Sequence, residues 1–170
     1  MYPNFNEQEE CIRLVAETDH SMPIDEVILV RLMLHFNQLY MHHRNQLLKQ
    51  YHLNETQFIS LVLIYFQPFQ KIQPSKLSEM LGSSKTNITR ISDELERKGW
   101  VCKEKIEKDL RAYFLKITPS GEEFIQKFLP TQWQLIRNVF SVVSHEEWAT
   151  FMQILKKIVS HLEQINNNHS

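Results

Sequence analysis

Apolar positions along this chain recur mainly at steps of three and four, the period of a helix, and change to alternation in one segment only. Residues from about 6 to 17, with Ile12 and Val15 apolar, predict a short helix, and "SMPIDE" breaks the chain after it. Asp25 suits the N-cap of a long helix running to about Tyr51. Its first half, "EVILVRLMLHF", is apolar nearly all round, which predicts burial on several sides. Asn54 followed by Gln57 resembles a capping box, so a second helix is expected from about Glu55 to Phe66. "QPFQKIQP" reads as a loop, with a short strand at Lys71 to Gln73. Pro74 suits a first helical position and Gly82 the residue just past a helix end. Between them Leu77, Met80 and Leu81 form one apolar face. The next helix starts at once, capped by Ser83 or Ser84. It points Ile88, Ile91 and Leu95 toward a core and stops at Gly99.

After Gly99 the period changes. "WVCKEKI" and "AYFLKIT" are β-like runs around "EKDLR", a hairpin pattern in which Tyr113, Leu115 and Ile117 share a face. Cys102 in the first run is expected to be packed. Thr118 and Pro119 open another helix, bearing Phe124, Phe128, Trp133, Ile136, Val139 and Phe140. Pro130 is expected to kink or divide it. Ser144 and Glu147 form a capping box. Beyond it Trp148, Phe151, Leu155, Ile158, Leu162 and Ile165 alternate steps of three and four, the narrow seam by which two helices pack together. The tail "NNNHS" reads as frayed.

Composition narrows the class. A chain of 170 residues with 42% apolar and 11% aromatic positions is globular, and long enough for one domain plus a dimerisation element. Three glycines disfavour phosphate-cradling loops, and two cysteines are too few for a disulfide framework. No signal-peptide pattern or span-length apolar run occurs, so a cytoplasmic protein away from the membrane is expected. No nucleophile elbow, phosphate loop or metal-ligand spacing appears, so neither enzyme activity, cofactor nor metal is expected. "HHR" at 42–44 lacks partner ligands and reads as a solvated or dimer-facing cluster. Net charge is −1, which excludes a globally basic nucleic-acid binder. The distribution differs: Lys76 to Lys116 holds ten Lys/Arg against seven Asp/Glu, while the remainder is acidic.

Within that basic stretch, no acid occurs from Gly82 to Ser92. Two helices joined by the short turn Gly82-Ser83-Ser84 form a helix-turn-helix pattern, whose second helix enters the DNA major groove by its N-terminal end. A carboxylate there would face phosphates, whereas free N–H groups favour them. With Ile88, Ile91 and Leu95 inward, Thr86, Thr89 and Arg90 project outward to base edges. Ser83, Ser84, Lys85 and Asn87 suit phosphates or flanking bases, with Ser75 on the preceding helix. The rival reading is a well-capped surface helix with scattered charges. The following hairpin weighs against it, because a helix-turn-helix followed by a hairpin is a winged helix, and Lys108 and Arg111 at its tip suit a minor groove.

"LSEMLGSSKTNITRISDELERKGWV" and "DLRAYFLKITPSG" resemble the signature of the multiple-antibiotic-resistance regulator (MarR) family of winged-helix transcription factors. Asp109, Arg111, Leu115, Thr118 and Gly121 fall at family spacing, and the layout covers about residues 25 to 165. "IQPSKLSEMLGSSKTN", "RLMLHF" and "LNETQF" look closest to the EmrR/MprA-like subgroup, which represses multidrug efflux operons. The resemblance implies a mainly α fold with a small β-wing. A winged helix-turn-helix at 54–118 would lie between dimerisation helices at 23–53 and 119–165, after an N-terminal extension at 1–22. It implies that Asp109 and Arg111 form the wing pair, although Leu110 stands where the family often has a polar or basic residue. It also implies a homodimer on a pseudo-palindromic operator in double-stranded DNA, released by a small hydrophobic or aromatic effector. The rings Phe36, Tyr40, Phe58 and Phe66 are candidates for the effector pocket. Trp148, Phe151, Leu155, Ile158 and Leu162 are candidates for the dimer contact. Two alternatives stand beside this reading. One is an oxidant sensor using Cys11, although the preceding acids would raise a thiol pKa. The other is a winged-helix module used only for protein contacts.

Overall fold

The computed structural model describes residues 4–106 and 109–168, with backbone alone at 109–111. The chain divides into two compact units, residues 1–125 and 126–170.

In the first unit, α1 (Phe5–Thr18) begins at Asn4, whose side chain accepts a hydrogen bond from the Asn6 N–H. α2 (Ile24–Lys49) starts after Pro23, which supplies no capping side chain. Asp25 lies inside the first turn, so the cap expected there is corrected: a carboxylate in the first turn still faces the positive helix end. The expected burial of the first half of α2 also fails. Leu29, Val30, Leu32 and Leu34 are 43 to 53% exposed, and Leu48 is the buried residue of this helix. Among the described residues α1 packs along α2, and these side chains stay about half exposed.

α3 (Glu55–Tyr65) carries the capping box as read. Asn54 Oδ1 accepts from the Gln57 N–H at 2.9 Å, and Gln57 Oε1 from the Asn54 N–H at 2.8 Å. A 3-10 turn at Pro68–Gln70, with Phe69 and Gln70 at positive φ, leads into β1 (Lys71–Ile72). α4 (Pro74–Leu81) ends at Gly82 in the left-handed conformation, φ 56°. Met80 is exposed, so the predicted apolar face of α4 narrows to Leu77, which is fully buried, and half-buried Leu81. α5 (Lys85–Arg97) buries Ile88, Ile91, Ser92 and Leu95, and Gly99 at φ 74° turns the chain out of it.

β2 (Val101–Ile106) and β3 (Asp109–Ile117) pair antiparallel, with a register shift between Lys105 and Ile106. β1, the short strand expected near Lys71, joins the other edge of β3, so the expected hairpin becomes a three-stranded sheet of order β1-β3-β2. Cys102 is exposed, contrary to the packing expected of it, because strand alternation turns Val101 inward and its neighbour outward. The core of this unit joins Phe58, Leu61 and Ile64 of α3 to Leu77, the inner face of α5, Val101, Leu115 and Ile117. Each such side chain stabilises by about 1.5–3 kcal/mol.

α6 (Pro119–Phe140) starts at the predicted Thr118-Pro119 pair, Thr118 Oγ1 accepting from the Gly121 N–H at 3.1 Å. It continues through Pro130, so of the kink or division expected there the division does not occur. Trp133 is 45% exposed, off the buried line of Phe128 and Leu129. In the second unit α7 (His145–Asn168) opens on the predicted capping box: Ser144 N–H donates to Glu147 Oε2 at 2.9 Å and Glu147 N–H to Ser144 Oγ at 3.3 Å. The helix extends to Asn168, beyond the point where fraying was expected. No residue of α7 is buried.

Candidate nucleic-acid interface

The turn between α4 and α5 is held from both sides. Ser83 N–H donates to Ser78 C=O at 3.0 Å, and the Ser78 hydroxyl donates back to Ser83 C=O. Gly82 has open space where a Cβ would stand, so its need is conformational and comes from its positive φ. Ser84 caps α5, accepting from the Asn87 N–H at 3.2 Å.

That end of α5 presents Ser84, Lys85, Thr86, Thr89 and Arg90 exposed, with Ser83 and Asn87 half-buried behind them and Ser75 exposed on α4. No acid lies in the first turn. Asn87 Nδ2 donates to Ser83 Oγ at 2.8 Å, and the Thr89 hydroxyl donates to Lys85 C=O at 3.1 Å. Arg90 reaches Glu94 Oε1 at 2.7 Å and Asn87 Oδ1 at 2.9 Å. The structure therefore gathers the α5 candidates, Ser83 to Arg90, at the start of that helix, with Ser75 exposed on α4.

The acids further along α5 are each tied to a cation. Lys103 of β2 bridges Asp93 at 2.6 Å and Glu96 at 2.9 Å, and these hydrogen bonds, Asp93's first, push its pKa up. Glu104 is paired with Lys71 and, at 3.0 Å, with Lys116. Hydrogen bonds from Lys71 and then Lys116 hold its carboxyl below the usual range. Lys103 thus joins the wing to α5, and Glu104 joins all three strands. Sequence reasoning missed both residues, since their partners are distant in the chain. It also missed Glu94, which the four-residue step from Arg90 would have flagged. Of the wing candidates, Lys108 lies outside the described residues, as do the side chains of Asp109 and Arg111.

The effector candidates separate. Phe36 is 44% exposed and stacks on Tyr40 with ring centroids 6.2 Å apart. Phe58 is in the core, and Phe66 is 62% exposed at the end of α3. Arg44 lies over both the Tyr40 and Phe58 rings and meets Glu55 Oε2 at 2.9 Å. An open groove of about 580 Å³ runs along α2, lined by residues that include Met41, His42, Asn45, Lys49 and Asn54, and by none of the four rings. Of the dimer candidates, Trp148 is half-buried, its ring edge-on to Phe140 at 4.9 Å, and Leu155 is half-buried too. Phe151, Ile158 and Leu162 are 41 to 55% exposed. Among the described residues no helix is long and apolar enough to cross a membrane.

Residues 53–113 match the MarR family. Over 168 residues the chain is 36% identical to the transcriptional repressor MprA of Escherichia coli K12, covering 99% of this chain and 96% of that one. A crystal structure of AbsC, a MarR family transcriptional regulator from Streptomyces coelicolor, shares the fold with a TM-score of 0.75 at 24% identity, over 84% of this chain and 97% of its own. A cysteine-to-serine variant of E. coli MarR complexed with operator DNA superposes with a TM-score of 0.67 at 27% identity, over 81% of this chain and 98% of its own. A match across nearly the whole of both chains, on a fold built from the same helix-turn-helix and wing, is the likeness of a relative: the chain belongs to the MarR family of transcriptional regulators.

Proposed function

We propose that this regulator is a cytoplasmic homodimer that represses its target by binding a pseudo-palindromic operator through the N-terminal end of α5. The observation that carries this reading is the surface of α5. Its first two turns expose Lys85, Thr86, Thr89 and Arg90 with no acid among them, while every acid that follows is engaged by a cation of the same fold. Such a surface accepts phosphate at its start and offers an arginine to base edges one turn on. Two copies would read half-sites roughly 34 Å apart. Exposed apolar residues on α2 and α7 supply the surface for pairing. The likeness to an efflux-operon subgroup supports a multidrug efflux or resistance operon as the target. Release by a small hydrophobic or aromatic effector requires that the ligand bind the DNA-incompetent form better than the competent one.

Titration of a duplex enriched from a random pool tests the reading. Arg90→Ala is expected to weaken that duplex by about 1–3 kcal/mol relative to one with the contacted base pair changed. Arg111→Ala is expected to weaken all sequences alike and flatten the salt dependence. Addition of an apolar aromatic weak acid is expected to raise the dissociation constant, and Phe36→Ala or Tyr40→Ala to blunt that response. Unchanged discrimination in Arg90→Ala removes Arg90 as a base reader. A broad panel of acids without effect removes the effector part and leaves DNA binding standing.

A further inference from the structure

Arg90 does not stand free on α5. Its guanidinium donates through Nη1 to Glu94 Oε1 at 2.7 Å and through Nη2 to Asn87 Oδ1 at 2.9 Å. Those two bonds use two of the five N–H groups a guanidinium carries, and fix the orientation of its plane. Asn87 is itself held, donating to Ser83 Oγ at 2.8 Å. The second oxygen of Glu94 accepts from Gln57 Nε2 of α3. Gln57 is 6% exposed and cannot wander, because its Oε1 accepts from the Asn54 N–H at 2.8 Å and its own N–H donates to Asn54 Oδ1. A continuous run of hydrogen bonds therefore leads from the backbone at the start of α3 through Gln57 and Glu94 to Arg90.

We propose that Glu94 is a positioning residue that presents Arg90 to the DNA, with Gln57 as its anchor, so that base discrimination by α5 depends on a buried amide of α3. This rests on the reading of Arg90 as a base contact. A carboxylate beside a DNA-facing arginine is otherwise a disadvantage: it subtracts charge where phosphate is to be bound, and it competes for the donors. Its geometry offsets this. A long side chain with many rotamers loses entropy when it docks on a base, and an arginine held in one orientation beforehand loses less. Only a half-buried acid with its far oxygen anchored can hold it so; the Glu94 side chain is 23% exposed against 56% for Arg90.

The capping box allows a clean test. Gln57→Glu keeps an oxygen on the Asn54 N–H, since glutamate serves at this capping-box position. It replaces the amide donor facing Glu94 by a second carboxylate. In the full-length protein, this variant is expected to lower the preference for the selected duplex over its Arg90-dependent base-pair variant by about tenfold, within the range such an arginine contact spans. Combining Gln57→Glu with Glu94→Gln restores the net charge and reverses the pair: the new amide at 94 donates to the new carboxylate at 57 and still offers its oxygen to Arg90. The swap is expected to recover most of the preference, with urea midpoints confirming that both proteins fold. Unchanged preference in Gln57→Glu, equal weakening of every duplex, or failure of the swap to recover preference would overturn the proposal while Arg90→Ala still loses discrimination. If Arg90→Ala loses none at any base pair, the reading of Arg90 fails, and the positioning role with it.

Discussion

Gly82 and Gly121 are two of three glycines in the chain, and the structure needs them for opposite reasons. At Gly82 a side chain would meet open space, and only the backbone, at φ 56°, resists it. At Gly121 a Cβ would stand 2.2 Å from the carbonyl oxygen of Trp100 and 2.9 Å from Ile117 Cγ1. That carbonyl cannot retreat, because it accepts the Thr118 N–H at 3.0 Å, and the Trp100 ring is stacked on Phe124 at 4.2 Å. Gly82→Ala is expected to cost about 1–2 kcal/mol, the left-handed penalty of an L-residue. Gly121→Ala is expected to cost about 3 kcal/mol or more, through overpacking against backbone. Urea midpoints order the two. A smaller loss at Gly121 than at Gly82 would mean that the junction between wing and α6 yields. Arg90 shows the same separation between identity and setting: its place on the outer face follows from its neighbours, but the anchor of its partner Glu94, Gln57, comes from another helix.

Elements whose signals are local were legible in the sequence. Both capping boxes, the Pro74 start, the Gly82 stop and the inward line of Ile88, Ile91 and Leu95 all rest on contacts within a few residues, and the structure keeps each of them. Non-local pairing was not legible. β1 is only two residues long and exists because Lys71 and Ile72 find Lys116 and Leu115 of β3. Of the candidate DNA surface, its position on α5 could be read, because an acid-free helix start needs no partner to be noticed. The ties of Lys103, Glu104 and the Gln57 anchor of Glu94 could not, because each crosses between elements. The contact of α2 with α3 is a further case. There Arg44 meets Glu55, whose pKa burial raises and Arg44 pulls back down, leaving it above its ordinary 4.5. The folded state therefore holds this proton more tightly than the unfolded one does. The stability due to the protonated form is complete below pH 4.5 and is lost as pH rises through the raised folded value. Relative to Glu55→Gln, the native protein is thus expected to lose stability across that window, followed by urea midpoints against pH. A constant difference would show that Arg44 cancels the cost of burial.

At the scale of the whole molecule, the long apolar first half of α2 and the apolar line of α7 predict cover, and among the described residues much of both stays exposed. The periodicity of α7 was correctly read, but burial depends on a partner that no single-chain pattern contains. If α7 supplies a dimer seam, Leu155→Asp with Leu162→Asp is expected to abolish dimers and operator binding together, since truncating a buried Leu already costs about 2–5 kcal/mol. A well-folded dimer by sedimentation would place the interface elsewhere. The exposed apolar positions of α2 and α7 share no residue with the outer face of α5. A subunit altered at Arg90 alone is therefore expected to keep the proposed pairing surface. Expressed beside the native protein it would enter mixed pairs that carry one sound reading helix each. If pairing runs through α7 and Arg90 reads the operator, the expected inheritance is dominant, with loss of repression in a cell that still holds an intact copy of the gene, whereas damage to α7 is expected to be recessive because such subunits would not enter a pair.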